Sequence, residues 1–308
     1  MSSPSPSGAS SARALSGAAF LTLLLIALLM ASNHVSARFA FNHGADVATA
    51  VTVRSLVTAA VLALLIALQR VPLALTARHK RGLPILGLLV GAQSLCLYSG
   101  VARIPIALAL LAFNSYPIWT ALFDWLIYGR RPERAALIAM PVILFGLALA
   151  LDVSGVASGL GAADQWRRIG VGVGFALAAA ALFGLALVVT QHETAGLDGR
   201  VRTASTMLLA GLVAMAAALA QGGFHFPQAA PGWWGLAGLT LLFGTGFTIL
   251  FTVLPRLGVG SNTAILNVEP VFALVLAWLI LGQSIAPVQV VGALLVVGTV
   301  VALGLRKK

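Results

Sequence analysis

The chain has 308 residues, of which 60% are apolar and only 9% are charged, and its mean hydropathy is +1.01. A soluble globular domain carries roughly a quarter charged residues, so this composition excludes an ordinary water-soluble fold. The net charge of +11 would favour nucleic-acid binding in a soluble protein, but in a membrane protein the same excess is typical of cytoplasmic loops. We therefore expect a polytopic membrane protein that binds no nucleic acid. The single cysteine, Cys96, can form no internal disulfide, and we expect neither a cofactor nor a metal.

A tail rich in Ser, Pro and Gly, residues 1–16, is typical of disorder. Ten apolar segments follow, each close to the roughly 20 residues that a helix needs to cross a bilayer; they lie at 17–37, 47–68, 83–101, 105–128, 135–152, 169–190, 203–220, 232–254, 262–281 and 286–305. The sequence therefore predicts an all-α polytopic membrane protein of ten transmembrane helices. The first segment loosely imitates a cleaved signal peptide, but cleavage would leave nine spans, and the internal repeat favours ten.

The third to fifth segments align without a gap on the eighth to tenth at an offset of 153 residues. The identical positions include more than leucines; the pairs are Gly82 and Gly235, Gly91 and Gly244, Arg103 and Arg256, Asn114 and Asn267, Pro117 and Pro270, Trp125 and Trp278, Gly129 and Gly282. Two halves of five spans must cross the membrane in opposite senses, as in the inverted repeats of secondary transporters. The predicted organisation is a first five-helix repeat at 17–152, a connecting loop at 153–168, a second repeat at 169–305 and a basic end at 306–308, with a central cavity between the repeats. Tight hairpins are predicted at Ala102-Arg103-Ile104 and Pro255-Arg256-Leu257.

The basic residues predict the orientation of the chain. With the N-terminus inside, fourteen Lys and Arg residues fall in cytoplasmic segments; only Arg38, Arg103, Arg167 and Arg168 fall outside, and Arg54 lies within a helix. Because cytoplasmic loops carry the excess of basic residues, both termini are predicted to be cytoplasmic.

A carboxylate stands within the predicted ninth span, about eight residues from its start. A charge near the bilayer centre is costly and persists only with a partner or water. Glu269 is followed directly by Pro270, which interrupts helical hydrogen bonding. This pair predicts a mid-depth site for a proton or an ammonium group, whereas the alternative is a buried polar contact between helices.

The repeat pairs Glu269-Pro270 with Tyr116-Pro117, and it pairs Asn267 with Asn114. A site with an acidic side and an aromatic side suits an amino acid better than a sugar phosphate or an apolar drug. Alternatively, both prolines serve as kinks and both asparagines form interhelical hydrogen bonds.

Other polar residues are candidates to line the same cavity: Asn33, His34, Gln93, Tyr98 and Thr248. His34 would be able to change charge near neutral pH, although a lone histidine is more often a hydrogen-bonded contact between helices. Arg54, about seven residues into the second segment, needs an acceptor. We expect a structural or coupling role for it in preference to direct substrate contact.

Two stretches resemble a known family. Asn267-Val268-Glu269-Pro270-Val271-Phe272-Ala273 with Ala277-Trp278-Leu279-Ile280-Leu281-Gly282, and their first-half counterpart from Tyr116-Pro117 to Trp125-Leu126-Ile127-Tyr128-Gly129, resemble the EamA branch of the drug/metabolite transporter superfamily. Arg54 and Ser32-Asn33 match polar positions of that family. The chain departs from it at Arg130 and Gln283, where an acidic residue is common, and at Met30, where a tryptophan is usual.

The resemblance implies a secondary transporter of the bacterial inner membrane that exports metabolites, and the YddG-type amino-acid exporters are the first type we expect among its relatives. We expect alternating access, a small-molecule substrate, contact with the lipid bilayer, proton coupling, and a monomer or homodimer. A multidrug or other metabolite carrier is the main alternative. A channel would need a selectivity filter and an intramembrane enzyme a catalytic motif, and neither is evident in the sequence.

Overall fold

The structure is a computed structural model that describes residues 17–132, 134–253, 266, 268–283 and 286–306. All regular elements within these ranges are helical. The first half of the chain forms α1 Gly17–Asn42, α2 Val47–Leu68, α3 Ala77–Arg103, α4 Ile106–Phe113, α5 Tyr116–Tyr128 and α6 Arg134–Ala150. The second half forms α7 Ala162–His192, α8 Gly199–Ala220, α9 Ala230–Thr252, α10 Glu269–Leu281 and α11 Pro287–Arg306.

Helix ends follow local capping chemistry. The Asp46 side chain accepts a hydrogen bond from the backbone N–H of Thr49 at the start of α2, and Thr76 caps α3 through the N–H of His79. Both side chains satisfy N–H groups that have no partner within the helix. At the other end, Gly129 and Gly282 close α5 and α10 with left-handed φ values of 68° and 64°, which glycine adopts without a Cβ penalty.

Six helical segments are long and apolar enough to cross a membrane by length and composition: Gly17–Asn42, Val47–Leu68, Ala77–Arg103, Ile106–Tyr128, Ala162–His192 and Gly199–Ala220. Shorter apolar helices cover Leu137–Ala150, Glu269–Leu281 and Pro287–Ala302. Large apolar side chains also face outward around the bundle, for example Leu68 at 71% exposure and Trp234 at 78%. The described part of the chain is therefore a multi-pass helical bundle, and the count of ten spans stays a prediction.

The predicted fourth span, 105–128, is two helices instead of one. The chain breaks at Asn114 and Ser115, and α5 starts at Tyr116 with Pro117 in its first turn. Proline lacks a backbone N–H and its ring clashes with the carbonyl four residues earlier, which favours a break here. The α3 and α6 helices do continue past Pro84 and Pro141. The connection predicted at 102–104 is shifted: α3 continues through Arg103, and Ile104 and Pro105 join it to α4.

The predicted ninth span, 262–281, is described from 268 onward. Its helix α10 begins at Glu269, so this residue lies at a helix start, with Pro270 in the first turn. The first residues of α5 and α10 are 153 positions apart in the chain, and so are their last residues. Residues 254–265 and 267, which include the predicted hairpin at Arg256 and the candidate Asn267, lie outside the described residues. The predicted connecting loop, 153–168, is helical from Ala162 onward.

The largest contacts between helices are symmetric with respect to the repeat: replacing each helix by its counterpart in the other half gives an observed contact. The contact of α1 with α9 corresponds to that of α3 with α7, that of α5 with α7 to that of α10 with α1, and that of α3 with α8 to that of α9 with α2. The contacts of α2 with α8 and of α6 with α11 map onto themselves. The largest helix contacts in the described part of the chain therefore join one half to the other.

Helices α1 and α3 run in the same direction. The side chain of Asn33 on α1 bonds to Tyr98 on α3, and Arg38, further along α1, bonds to the carbonyl of Val101, further along α3. Later residues of one helix therefore meet later residues of the other.

Helices α1 and α9 run in opposite directions. A Cβ on Gly238 would lie 3.1 Å from the Cβ of Ser36, and a Cβ on Gly235, earlier in α9, would lie 2.6 Å from the backbone nitrogen of Ala40, later in α1. Because α1 is parallel to α3, the third and eighth predicted spans, α3 and α9, are antiparallel.

The close crossing of α6 and α11 gives a test of this packing. A Cβ on Gly292 would lie 2.4 Å from the backbone nitrogen of Ala150 and 2.5 Å from the carbonyl oxygen of Gly146. Gly292→Ala is therefore expected to lower the free energy of unfolding by about 1–3 kcal/mol, because the helices must separate. Thermal unfolding of the protein purified in detergent measures the effect.

Gly298 supplies the matched control on the same helix, since a Cβ there meets nothing within 4 Å. Gly298→Ala is expected to be neutral or to stabilise by up to about 1 kcal/mol through helix propensity. Equal destabilisation by both substitutions would contradict the close approach at Gly292.

Candidate functional site

Polar side chains from four helices, all but one of them buried, meet at the start of α10. We call this group the polar cluster; it consists of Asn33 and His34 on α1, Arg54 on α2, Gln93, Ser94 and Tyr98 on α3, and Glu269 on α10. In an apolar bundle such groups are retained only when they satisfy one another or serve a ligand. The cluster joins the first half of the chain to the second.

Arg54 and Tyr98 form the centre of the cluster. The Arg54 side chain is 3% exposed and donates from Nη1 to the Tyr98 hydroxyl and from Nη2 to the Ser94 hydroxyl, each at 3.0 Å. The Tyr98 hydroxyl in turn donates to Asn33 Oδ1 at 3.0 Å. These bonds fix the position of a guanidinium whose charge is taken out of water.

Two aromatic rings cover the Arg54 guanidinium. Its central carbon lies 4.1 Å from the ring centroid of Phe243 on α9 and 4.9 Å from that of Tyr98. Cations are attracted to aromatic faces at such distances, and a planar guanidinium can also stack on them. The second half of the chain thus contributes to holding Arg54 through α9.

His34 and Glu269 form a pair across the two halves. His34 Nε2 lies 3.0 Å from Glu269 Oε1, with the histidine side chain 8% exposed and the carboxylate 25% exposed. The His34 ring also lies 5.3 Å, centroid to centroid, from Tyr98. His34 therefore lies between the carboxylate and the ring that contacts Arg54.

The start of α10 supplies a second reason for a carboxylate at this place. Glu269 is the first residue of the helix, where the helix dipole favours a negative charge by about 0.3–1 kcal/mol. Together with the 25% exposure of its side chain, this allows a carboxylate to persist in an apolar bundle.

The family comparison decides the identity of the fold. The model of the EamA-like transporter family matches residues 17–151 and again residues 170–305, most of the chain. The chain belongs to the EamA-like transporter family. As a member it is a multi-pass membrane protein and a transporter of small molecules; the members of this family are in general transporters and not enzymes.

Comparisons with curated proteins and with solved structures support only the fold of the chain. No curated protein matches the chain significantly. A solved structure described only as the crystal structure of a protein matches with a TM-score of 0.60 at 18% identity, covering 94% of this chain and 99% of that chain. At that identity the likeness speaks for the architecture alone.

The structure brings most of the predicted site residues together, while others have different surroundings. Asn33, His34, Gln93, Tyr98 and Glu269 meet in the polar cluster with Arg54. Their role in substrate binding stays a prediction.

Three predicted residues lie elsewhere. Asn114 is buried and donates to the carbonyl of Leu110 at the end of α4. Tyr116 lies in an aromatic group with Phe113 and Phe183. Thr248 lines a groove between α2 and α9 and donates to the carbonyl of Gly244. Pro117 and Pro270 stand in the first turns of α5 and α10.

Sequence reasoning missed two features of the bundle. Phe243 gave no signal, because an aromatic residue in an apolar helix looks like any core or lipid-facing residue. A second polar network, which we call the end network, was also missed; it consists of Arg78, Asp124, Tyr128, His192 and Glu193. Within the ranges that the structure describes, no three His, Cys, Asp or Glu residues form a group able to hold a metal.

The end network joins α3, α5 and the end of α7. His192 Nε2 lies 2.9 Å from Asp124 Oδ1, and the Tyr128 hydroxyl donates to Glu193 Oε1 at 2.9 Å. The hydrogen bond from Arg78, with that of Tyr128, holds the pKa of the Glu193 carboxyl below its usual range. Asp124 on α5 is thus paired with His192 at the end of α7.

The lowered pKa of Glu193 predicts a pH-dependent stability. An acid whose pKa is lower in the folded state stabilises that state above the unfolded pKa, about 4.3 for glutamate, and loses this effect as the pH falls through the folded value. Glu193→Gln is thus expected to lower the melting temperature at pH 7, and the difference from wild type should shrink below about pH 4. Melting curves in detergent across this range provide the measurement.

Asp164→Asn is the control for that series. Its ion pair with Arg167 lies on the surface, with side chains 62% and 83% exposed, and such pairs contribute little. A melting-temperature difference for Glu193→Gln that did not change with pH would contradict a role for its ionised form.

Proposed function

We propose that this transporter exports small metabolites, with amino acids as the first candidate class, by alternating access in a bacterial inner membrane. The observation that carries the proposal is the His34–Glu269 pair at the start of α10. In secondary transporters, substrates and coupling ions bind where discontinuous helices meet at the interface of two repeats. The carboxylate of Glu269 is suited to an ammonium group or a proton.

The proposed architecture is ten spans in two inverted repeats around a central cavity. Three observations support it: α3 and α9 are antiparallel, the helix contacts of one half have counterparts in the other, and α5 and α10 begin and end 153 residues apart. The proposed binding residues lie in the polar cluster and beyond it: Asn33, His34, Gln93, Tyr98, Glu269, Asn114, Tyr116, Thr248 and Asn267. Arg54, Pro117 and Pro270 are proposed to have structural or coupling roles.

Both termini are proposed to be cytoplasmic. Arg78 contacts Glu193 and Arg200 contacts Gln69, so basic residues of separate loops gather at one end of the bundle. Arg38 and Arg103 lie toward the other end, near the end of α3. The basic end is the cytoplasmic side by the positive-inside rule.

Uptake into proteoliposomes tests the function directly. Radiolabelled neutral and aromatic amino acids, nucleosides and cationic drugs are presented with and without a pH gradient. Saturable, temperature-dependent amino-acid flux supports the proposal, whereas flux of cationic drugs alone favours the multidrug alternative. Non-saturable flux would indicate a channel.

Glu269→Gln separates the two roles proposed for this carboxylate. The amide keeps the shape and the hydrogen bonding but loses the charge. If Glu269 binds an ammonium group, the apparent KM should rise about tenfold or more, since a hydrogen bond to a charged group contributes about 1.5–3 kcal/mol. If it carries a proton, exchange should persist while stimulation by a pH gradient disappears.

Asp164→Asn, a surface acid outside the polar cluster, controls for the loss of one negative charge. Wild-type KM and wild-type gradient dependence in Glu269→Gln protein that is folded and correctly reconstituted would reduce Glu269 to a packing contact.

A cross-link across the end network tests alternating access. Asp124→Cys and His192→Cys, in a Cys96→Ser background, place two thiols on α5 and α7 where the native side chains are 2.9 Å apart. The contact of α5 with α7 and its counterpart of α10 with α1 would open in alternation as the halves rock. Bridging the thiols with a short bifunctional reagent is therefore expected to stop exchange.

The matched control places the thiols at Asp164 and Arg167, one turn apart on α7. A bridge within one helix leaves helix–helix motion free, so exchange should continue. Full exchange through protein cross-linked at 124 and 192 would contradict alternating access at this contact.

A further inference from the structure

Arg54 carries a buried positive charge for which the described residues supply no carboxylate. Each acidic residue that the structure describes has another partner: Asp46 has His225, Asp124 has His192, Asp152 has the backbone N–H groups of 157 and 158, Asp164 has Arg167, Glu193 has Arg78, Asp198 has Arg200 and Glu269 has His34. The one remaining acidic residue of the sequence, Glu133, lies outside the described residues. A buried cation without an opposite charge is strongly unfavourable.

The partners of Arg54 are neutral and use only part of its hydrogen-bonding capacity. A guanidinium has five N–H donors in a fixed fork, and the hydroxyls of Tyr98 and Ser94 accept one each from Nη1 and Nη2. Its Nε is buried and has no hydrogen-bond partner among the described residues. The Nε edge is the side on which a guanidinium can bind a carboxylate through two parallel bonds.

Arg38 shows how this chain compensates a cation structurally. Its Nη1 donates to the carbonyls of Val101 and Ile104 at the end of α3, where the helix dipole favours positive charge. The Nε of Arg38, like that of Arg54, is buried without a hydrogen-bond partner among the described residues. The two arginines differ in their acceptors, because Arg38 has the carbonyls of a helix end and Arg54 has only neutral hydroxyls.

The surroundings of Arg54 hold the guanidinium in one orientation. Phe243 and Tyr98 cover it at 4.1 and 4.9 Å, and the two hydroxyls fix its other edge. A planar cation fixed in this way is pre-organised for a planar anion, because little side-chain freedom is lost on binding.

We propose that Arg54 is the subsite for the carboxylate of the transported substrate, so that the substrate class is small molecules with a free carboxylate. This inference rests on the proposed function and assigns the second end of the same site. Tyr98 connects the two ends: its hydroxyl contacts Arg54, and its ring contacts His34, the partner of Glu269. A zwitterion would thus have its carboxylate at Arg54 and its ammonium group at Glu269.

A binding experiment tests this subsite independently of transport. The purified protein in detergent is titrated at constant ionic strength with sodium phenylacetate, with the neutral phenylacetamide or with sodium chloride, and its melting temperature is followed. Phenylacetate alone should raise the melting temperature saturably. No saturable shift, or the same shift with phenylacetamide or chloride, would overturn the carboxylate subsite without use of a variant.

Substitutions then locate the effect. Arg54→Gln should weaken phenylacetate binding by about tenfold or more, because a charged hydrogen-bonding partner is lost. Arg54→Lys keeps the charge without the planar fork and should bind with intermediate affinity. Arg38→Gln removes an arginine outside the cluster and should bind phenylacetate as wild type does. Wild-type affinity in Arg54→Gln, or a loss as large in Arg38→Gln, would refute the assignment.

If Arg54→Gln does not fold, Phe243→Leu tests the same subsite without changing the arginine. It retains an apolar side chain but removes one ring over the guanidinium, and phenylacetate affinity should fall severalfold. Unchanged affinity would contradict the pre-organised cation.

Transport of matched probes separates this inference from the proposed function. L-Phenylalanine should be carried and L-phenylalaninamide should not. If both are carried equally, the carboxylate subsite fails and amino-acid transport stands. If neither is carried while phenylacetate still binds through Arg54, the proposed substrate fails and the subsite stands.

Discussion

The 3.0 Å contact between His34 and Glu269 joins α1 of the first half to α10 of the second in a bundle that is mainly apolar. The carboxylate at the start of α10 needs compensation, and it receives it from an imidazole, a helix start and partial exposure. Tyr98 then links this pair to Arg54, so that one requirement, the compensation of buried charge, holds side chains of α1, α2, α3 and α10 in a single group.

The two charged ends of this group differ in how they are compensated. Glu269 has a partner of suitable chemistry within the chain, whereas Arg54 meets neutral hydroxyls and two aromatic faces. In a fold whose cost of unpaired charge is high, such an asymmetry is typical of a site that a ligand completes. It is also the reason why the proposed substrate is a molecule with charges at both ends.

The breaks in the helices matter as much as the charges. Pro117 ends α4 and starts α5, and Pro270 stands at the equivalent position in α10. Both α5 and α10 end at a glycine with a left-handed φ, Gly129 and Gly282. The same proline and glycine positions therefore bound α5 and α10, while the residue just before the proline, Tyr116 or Glu269, gives the two halves different chemistry.

The membrane class, the helical bundle, the repeat and most polar residues of the cluster could be predicted from the sequence, because apolar runs, an offset of 153 residues and polar residues within those runs are local or periodic signals. The sequence did not determine which polar residues meet. The sequence predicts one continuous fourth span, where the structure has α4 and α5. It pairs Tyr116 with Glu269 through the repeat, but the neighbours of Tyr116, Phe113 and Phe183, depend on which helix faces which. Only tertiary structure brought Phe243 over Arg54 and His192 to Asp124, because contacts between distant helices depend on rotation and crossing of the helices, which leave no mark in the local pattern.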